Sequence, residues 1–143
     1  MDQAARPARF SRAVRIMHGA LVAGLTLVGG VFFLLLRIQG QALGAAPTLA
    51  SVLAGLSISL LAVAVAVLRR RVPERRPDQS PDAYWATVET RGAAIVLWAL
   101  MEGAGLLAWI GYVLTGRAVP AAAAALAIAA LILLGPSRLE GAA

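Results

Sequence analysis

Few side chains in this sequence could do chemistry. There is no cysteine and one histidine, His18. Thiolate nucleophiles, disulfides, thiolate metal sites and paired-histidine haem ligation within one chain are therefore excluded. The conspicuous group is Glu102, near the middle of GAAIVLWALMEGAGLLAWIGYVL, residues 92–114, a stretch that is otherwise apolar. A carboxylate near the centre of a bilayer costs roughly 2.5–3.5 kcal/mol on insertion scales, so an acid kept there is either held by hydrogen bonds or put to use. Thr26, Ser57 and Ser59 carry hydroxyls at a similar depth in the two preceding apolar runs. Ala99 and Gly105, three residues to either side of the acid, leave room for a neighbouring helix. The leading expectation is that Glu102 hydrogen-bonds a hydroxyl or a backbone carbonyl and so joins two helices. Reversible protonation in transport and contact with a partner subunit or pigment are the alternatives. His18 lies nearer one end of the first run, roughly 10 Å along the axis from Glu102, a gap that only helix tilt or a bridging water would close; it reads as a packed or interfacial histidine. Trp98 reads as packing. Nothing forms a catalytic set, a metal-ligating set or a nucleotide loop, and no cofactor is implied.

Four apolar segments must position these groups. The chain has 143 residues, 60% of them hydrophobic, too much for so short a soluble domain to hide and natural for one solvated by lipid. The spans read as residues 16–36, 49–68, 92–114 and 118–134 of a single membrane domain. At 1.5 Å per residue the first is long enough to cross about 30 Å of hydrocarbon, and it is too long for a typical cleaved signal segment. Pro7 breaks any earlier helix and Ser11 reads as an N-cap. Pro47 and Thr48 open the second span. Within that span Ser51, Gly55 and Ser59, continued by Ala62 and Ala66, form a small-residue stripe that predicts a packing seam. Asp82, after Pro81, reads as the N-cap of a third helix that starts in the headgroup region, with Tyr84 and Trp85 at the interface. Trp109 and Tyr112 fall near its other end, as an aromatic belt should. Thr115 and Gly116 make a tight turn. The fourth span is alanine-rich, better suited to packing on protein than to facing lipid, and ends at Gly135 and Pro136. The remainder, SRLEGAA, reads as a short polar tail.

The net charge is +6, carried by arginine with no lysine. Placing the N-terminus inside puts four arginines of the tail, five of the loop 69–82, Arg91 and Arg138 on the cytoplasmic side. Only Arg37 and Arg117 remain outside, and this bias sets the orientation. Short connections then imply an all-α integral membrane protein, an up-down-up-down four-transmembrane-helix bundle with both termini cytoplasmic. In the basic loop, Arg69, Arg70, Arg71, Arg75 and Arg76 are expected to face anionic lipid headgroups or a protein partner. They flank hydrophobic segments without interleaved exposed aromatics, so nucleic acid is not the expected partner.

Two resemblances follow from these motifs. ALMEGAGLLAWIGYVL resembles the carboxylate helix of ATP synthase c subunits and their V-type relatives, which would imply ion exchange at Glu102. Here, however, the acid is on the third helix instead of an even-numbered one, and glycines 19, 24 and 29 are spaced by five. Over nearly the whole chain the sequence resembles small uncharacterised bacterial four-span proteins. The shared order is a basic tail, two spans, a charged loop, Arg91 before Ala99-x-x-Glu102-Gly103, a Thr115-Gly116 turn, and an end at Pro136-Ser137-Arg138. That resemblance implies a bacterial inner membrane but no activity. The expected function is a non-enzymatic accessory or structural subunit of a larger respiratory, photosynthetic or transport complex. A proton-coupled channel or small transporter using Glu102 is the alternative.

Overall fold

In a computed structural model the chain is described over residues 9–40, 42–44 and 46–141. Arg6 and Pro7 lie outside the described residues. The described residues form helices and connecting turns, with no strand among them. Helix α1 runs Arg9–Gln39 and α2 runs Pro47–Val63. The latter continues through a wider π-type turn, Ala64–Leu68, and a tight turn of 3₁₀ helix, Arg69–Arg71. A short helix α3, Pro81–Ala86, leads into α4, Val88–Thr115, and α5, Ala118–Leu133; a final turn, α6, spans Pro136–Leu139. Arg9–Gln39, Pro47–Arg71 and Val88–Thr115 are each long and apolar enough to cross a membrane, while Ala118–Leu133 is a shorter apolar helix.

Helix α4 is the hub, packing on α5, α2 and α1. The contacts fix the directions. His18, Leu25 and Gly29 of α1 meet Trp98, Gly105 and Trp109 of α4 in the same order, so those two helices run parallel. Ser57 bonds to Ala104 and Leu53 abuts Gly111, so α2 runs against α4. Pro120 abuts Gly111 and Leu134 meets Trp98, so α5 does too. Small residues make this possible. Ala94, Ala104, Gly105, Ala108 and Gly111 of α4 are buried, as are Ala123, Ala124 and Ala127 of α5. The alanine-rich last apolar helix does pack on protein.

Several local expectations are corrected. The seam that α2 buries is Ala50, Ala54, Ser57 and Leu61, continued by Ala64. The Ser51–Gly55–Ser59–Ala62–Ala66 stripe faces outward. Both stripes have helical spacing, and the buried one carries the larger apolar anchor, Leu61. Ser11 is no N-cap, because α1 is already helical at Arg9; it is buried, and its backbone N–H points at Asp82. The entry to α4 is not one continuous helix from Asp82. Extended backbone at Thr87 separates α3 from α4, and Ser80 caps α3 by accepting from the Ala83 N–H. At the other end Gly116 takes the left-handed conformation (φ 64°) that closes α4, as glycine allows.

The tightest approach between α1 and α4 lies at Gly29, where an added Cβ would run into the Trp109 indole ring. At Gly24, on the same helix, nothing lies within 4 Å of such an atom. Gly29→Ala should therefore destabilise the protein by about 1–3 kcal/mol through overpacking, and Gly24→Ala should not. Thermal melts of the two variants in one detergent check this; equal melting points would contradict the packing described.

Candidate functional site

The structure does not bring the predicted polar groups together at mid-helix. Thr26 Oγ1 donates to the Val22 carbonyl one turn back (2.8 Å) and Ser59 Oγ donates to Gly55 (2.8 Å). Each hydroxyl is spent on its own helix and is turned outward. Ser57 Oγ does join two helices, donating to the Ala104 carbonyl of α4 at 2.7 Å, and it is buried. Its partner is thus backbone two residues from Glu102, not the acid. Glu102 is partly buried, at one edge of the Trp98–Gly105–Trp109 stripe that meets α1, beside the open face that carries Ala99 and Gly103. Among the described residues no hydrogen bond or ion pair to it is formed. The expected hydroxyl partner is not there, because equal depth along a helix does not fix which way a side chain points.

The polar centre lies instead at the end where both terminal segments and the basic loop converge. Its focus is Glu140, in the tail that the sequence suggested was solvated. Gly135 and Pro136 end α5; α6 then folds the tail back, burying Leu139 and Glu140. The Glu140 carboxylate accepts from Arg15 Nη2 (2.9 Å) on one oxygen and from Trp85 Nε1 (2.7 Å) on the other. Arg75 Nε donates to the Glu140 backbone carbonyl (2.8 Å), and its Nη1 to the Gln79 carbonyl (2.9 Å). One residue therefore ties α1, the basic loop, α3 and the tail together. A buried carboxylate needs such donors, since removing it from water unpaired costs several kcal/mol.

Above this carboxylate stands a chain of rings. Tyr84 and Trp85 meet edge to face at 4.8 Å, Trp85 and Trp98 lie 6.0 Å apart, and Trp98 meets His18 edge to face at 4.8 Å. Tyr84 and Trp85 are fully buried, not interfacial. Their burial corrects the belt reading: a belt aromatic keeps its polar tip wet, whereas here Tyr84 Oη donates to the Pro73 carbonyl (2.8 Å) and Trp85 to Glu140. His18 and Trp98 perform a second task. Gly135 N–H turns to the Ile132 carbonyl, which takes the normal partner from Leu131. His18 Nε2 bonds the Leu131 carbonyl (2.9 Å) and must donate, because a carbonyl only accepts; Trp98 Nε1 donates to Leu134 (2.8 Å). Two side chains thus complete the carbonyl end of α5, which would otherwise be left with orphan acceptors.

Asp82 likewise caps another helix than its own. Its Oδ1 accepts from the Phe10 and Ser11 N–H groups (2.9 and 3.2 Å) in the first turn of α1, where a negative charge suits the helix dipole. The Arg91 guanidinium sits 4.9 Å above the Phe10 ring. Of the loop arginines predicted to face lipid or a partner, Arg70, Arg71 and Arg76 are exposed, whereas Arg75 is turned inward onto Glu140 and Gln79. Among the described residues no group of three or more metal-binding side chains gathers. Sequence reasoning missed Glu140 and Asp82 as tertiary partners. A usable signal was the run Gly135-Pro136 followed by Leu139, a break and then an apolar residue with somewhere to go. Comparison with protein-family models, curated proteins and solved structures gives no match.

Two outcomes follow. Glu140→Ala leaves Trp85 and Arg15 without their acceptor and should cost about 3 kcal/mol, the lower end for a broken buried pair because Arg15 is half exposed. Glu140→Gln, which still accepts from Trp85, should cost less; thermal melts in detergent rank them, and equal losses would contradict the dual role of the carboxylate. Burial raises the Tyr84 phenol above its ordinary 10.0; Arg69 opposes this and Glu140 adds to it. The folded state thus holds the neutral phenol, and that stabilisation is complete below about pH 10 and fades as pH climbs through the raised folded value. Tyrosinate absorbance in a Tyr112→Phe background should show Tyr84 ionising later than free tyrosine; ionisation at the free value would contradict it.

Proposed function

We propose that the protein is a non-enzymatic accessory subunit of a larger complex in a bacterial inner membrane. In this reading it crosses the bilayer four times with both termini and the basic loop in the cytoplasm. Four antiparallel-alternating helices support this reading. So does the meeting of Arg15, Arg75 and Glu140, which gathers the arginine-rich segments at one end of the molecule. The positive-inside rule would put that end in the cytoplasm.

The observation that carries the proposal is the state of Glu102. It is partly buried, has no partner in its own chain among the described residues, and adjoins an open small-residue face. A carboxyl at such a depth needs a hydrogen-bonding group, and the proposed source is a helix of a partner subunit seated over Ala99 and Gly103. The hydroxyls that a proton path through this chain would use are bonded into their own helices at Thr26 and Ser59. This favours the accessory reading over the transport reading, which rests on the same acid.

Photoreactive residues placed at 99 and 103 should crosslink to one discrete protein in native membranes, and the adduct should be lost on Glu102→Ala. The same group at Val52, exposed on α2, should label lipid alone. Lipid-only labelling at all three positions would contradict the subunit reading. Proton flux in proteoliposomes that is abolished by Glu102→Gln would replace it with the transport reading.

A further inference from the structure

At the end where α5 stops, a cleft of about 260 Å³ opens between α1 and the α5–α6 corner, lined by Arg15, His18, Ile132, Gly135, Pro136 and Ser137. Its two walls differ in chemistry. On one, the Arg15 side chain is 56% exposed although one of its amino groups is engaged by Glu140; the guanidinium fork has further N–H donors to offer. On the opposite wall Ser137 is exposed, and its hydroxyl has no bonded partner among the described residues. The floor is closed by His18, whose Nε2–H is committed to Leu131. Gly135 keeps this floor close: a Cβ there would sit 3.2 Å from the His18 ring. Ile132, 56% exposed, carries the rim onto the apolar surface of α5. Arg12 and Arg138, both exposed, flank the opening in sequence and add positive charge; the one carboxylate alongside, Glu140, is already neutralised by Arg15.

We infer that this cleft binds a phosphate group, held by the free N–H groups of Arg15 and by the Ser137 hydroxyl. A guanidinium fork and a hydroxyl on facing walls match a phosphate's several acceptor oxygens. The apolar rim beside a polar mouth, at the end of an apolar helix, suits the phosphate of an anionic phospholipid whose acyl chain lies along Ile132. A free phosphate would use the same donors without that rim. The cleft lies at the corner where α1, α5 and α6 meet, which is the cytoplasmic side in the orientation proposed above. It does not depend on whether a partner covers Glu102 on the far side of the α1–α4 contact.

The test uses the full chain, purified in a mild nonionic detergent. Melting temperature is followed while phosphatidylglycerol, phosphatidylcholine or inorganic phosphate is added. Ser137→Ala removes the hydroxyl at the exposed mouth and leaves the Arg15–Glu140 pair in place. Arg117→Ala removes an exposed positive charge at the far end of α5 as a control for general electrostatic attraction. Phosphatidylglycerol should raise the melting temperature of the natural protein and of Arg117→Ala more than phosphatidylcholine does. Ser137→Ala should melt normally without lipid but require about tenfold more phosphatidylglycerol for the same shift, the loss of roughly one charge-assisted hydrogen bond. An equal shift from inorganic phosphate, lost in Ser137→Ala, would make the occupant a free phosphate. Identical responses of Ser137→Ala and the natural protein to both additives would overturn the site.

Discussion

The fold is fastened at one end by a carboxylate that has left water. Glu140 lies three residues from the end of the chain, yet its side chain is 5% exposed and accepts from Arg15 and Trp85. Neither donor is near it in sequence, and each comes from a different element. A helix hairpin in lipid has little hydrophobic incentive to choose one neighbour over another, so polar contacts carry much of the selection. Here the selection is made at one end of the helices. The tail cannot bury Glu140 unless α1, the basic loop and α3 are all in place around it, and this couples the first and last segments of the chain.

Breaking α5 at Gly135 and Pro136 makes that arrangement possible. The break frees carbonyls at the end of α5, and a freed carbonyl in an apolar setting needs a donor. His18 from α1 and Trp98 from α4 supply them. The same two rings stack edge to face, and Trp98 passes the packing on to Trp85 and Tyr84. A single interruption in one helix is therefore answered by two others. Small residues on α4 let three helices approach it along its length, and Leu25 and Trp109 fill the spaces over Gly105 and Gly29. Midway along the helices the hydroxyls are spent locally, on carbonyls within a helix or, for Ser57, on the next one, and Glu102 is left facing the edge of the molecule.

Much of this was legible in the sequence. Apolar runs with glycine, proline and arginine at their ends located all four long helices to within a few residues at most boundaries, because hydropathy and helix-stop chemistry are local properties. The break at Gly135–Pro136 and the protein-seeking character of the alanine-rich helix were legible for the same reason. What failed were statements about azimuth and about tertiary partners. Depth matching put Thr26, Ser57 and Ser59 level with Glu102, but rotation about each helix axis decided their bonds. On α2 two stripes share the helical period, and the outward one happened to hold more serine and glycine. Tyr84 and Trp85 follow a charged loop, which suggests a wet interface; nothing local announces that a distant glutamate will accept from the indole. Asp82 sits after Pro81 in N-cap context, yet its carboxylate serves α1. Glu140 was hidden by its setting among Ser137, Arg138 and small residues at the chain end, a composition that elsewhere means solvent.

The tail carboxylate organises the end of the molecule where the basic segments meet. Amide hydrogen exchange, compared between the intact chain and one ending at Pro136, tests this most directly. Loss of the tail should leave the protection of α4 between Ala94 and Gly111 unchanged, because that packing rests on α1, α2 and α5. Exchange should rise across residues 72–87 and in the first two turns of α1, which lose Glu140 as their common partner. Unchanged protection in both of those segments would show that the end of the molecule is held by something other than the tail, and would contradict the account.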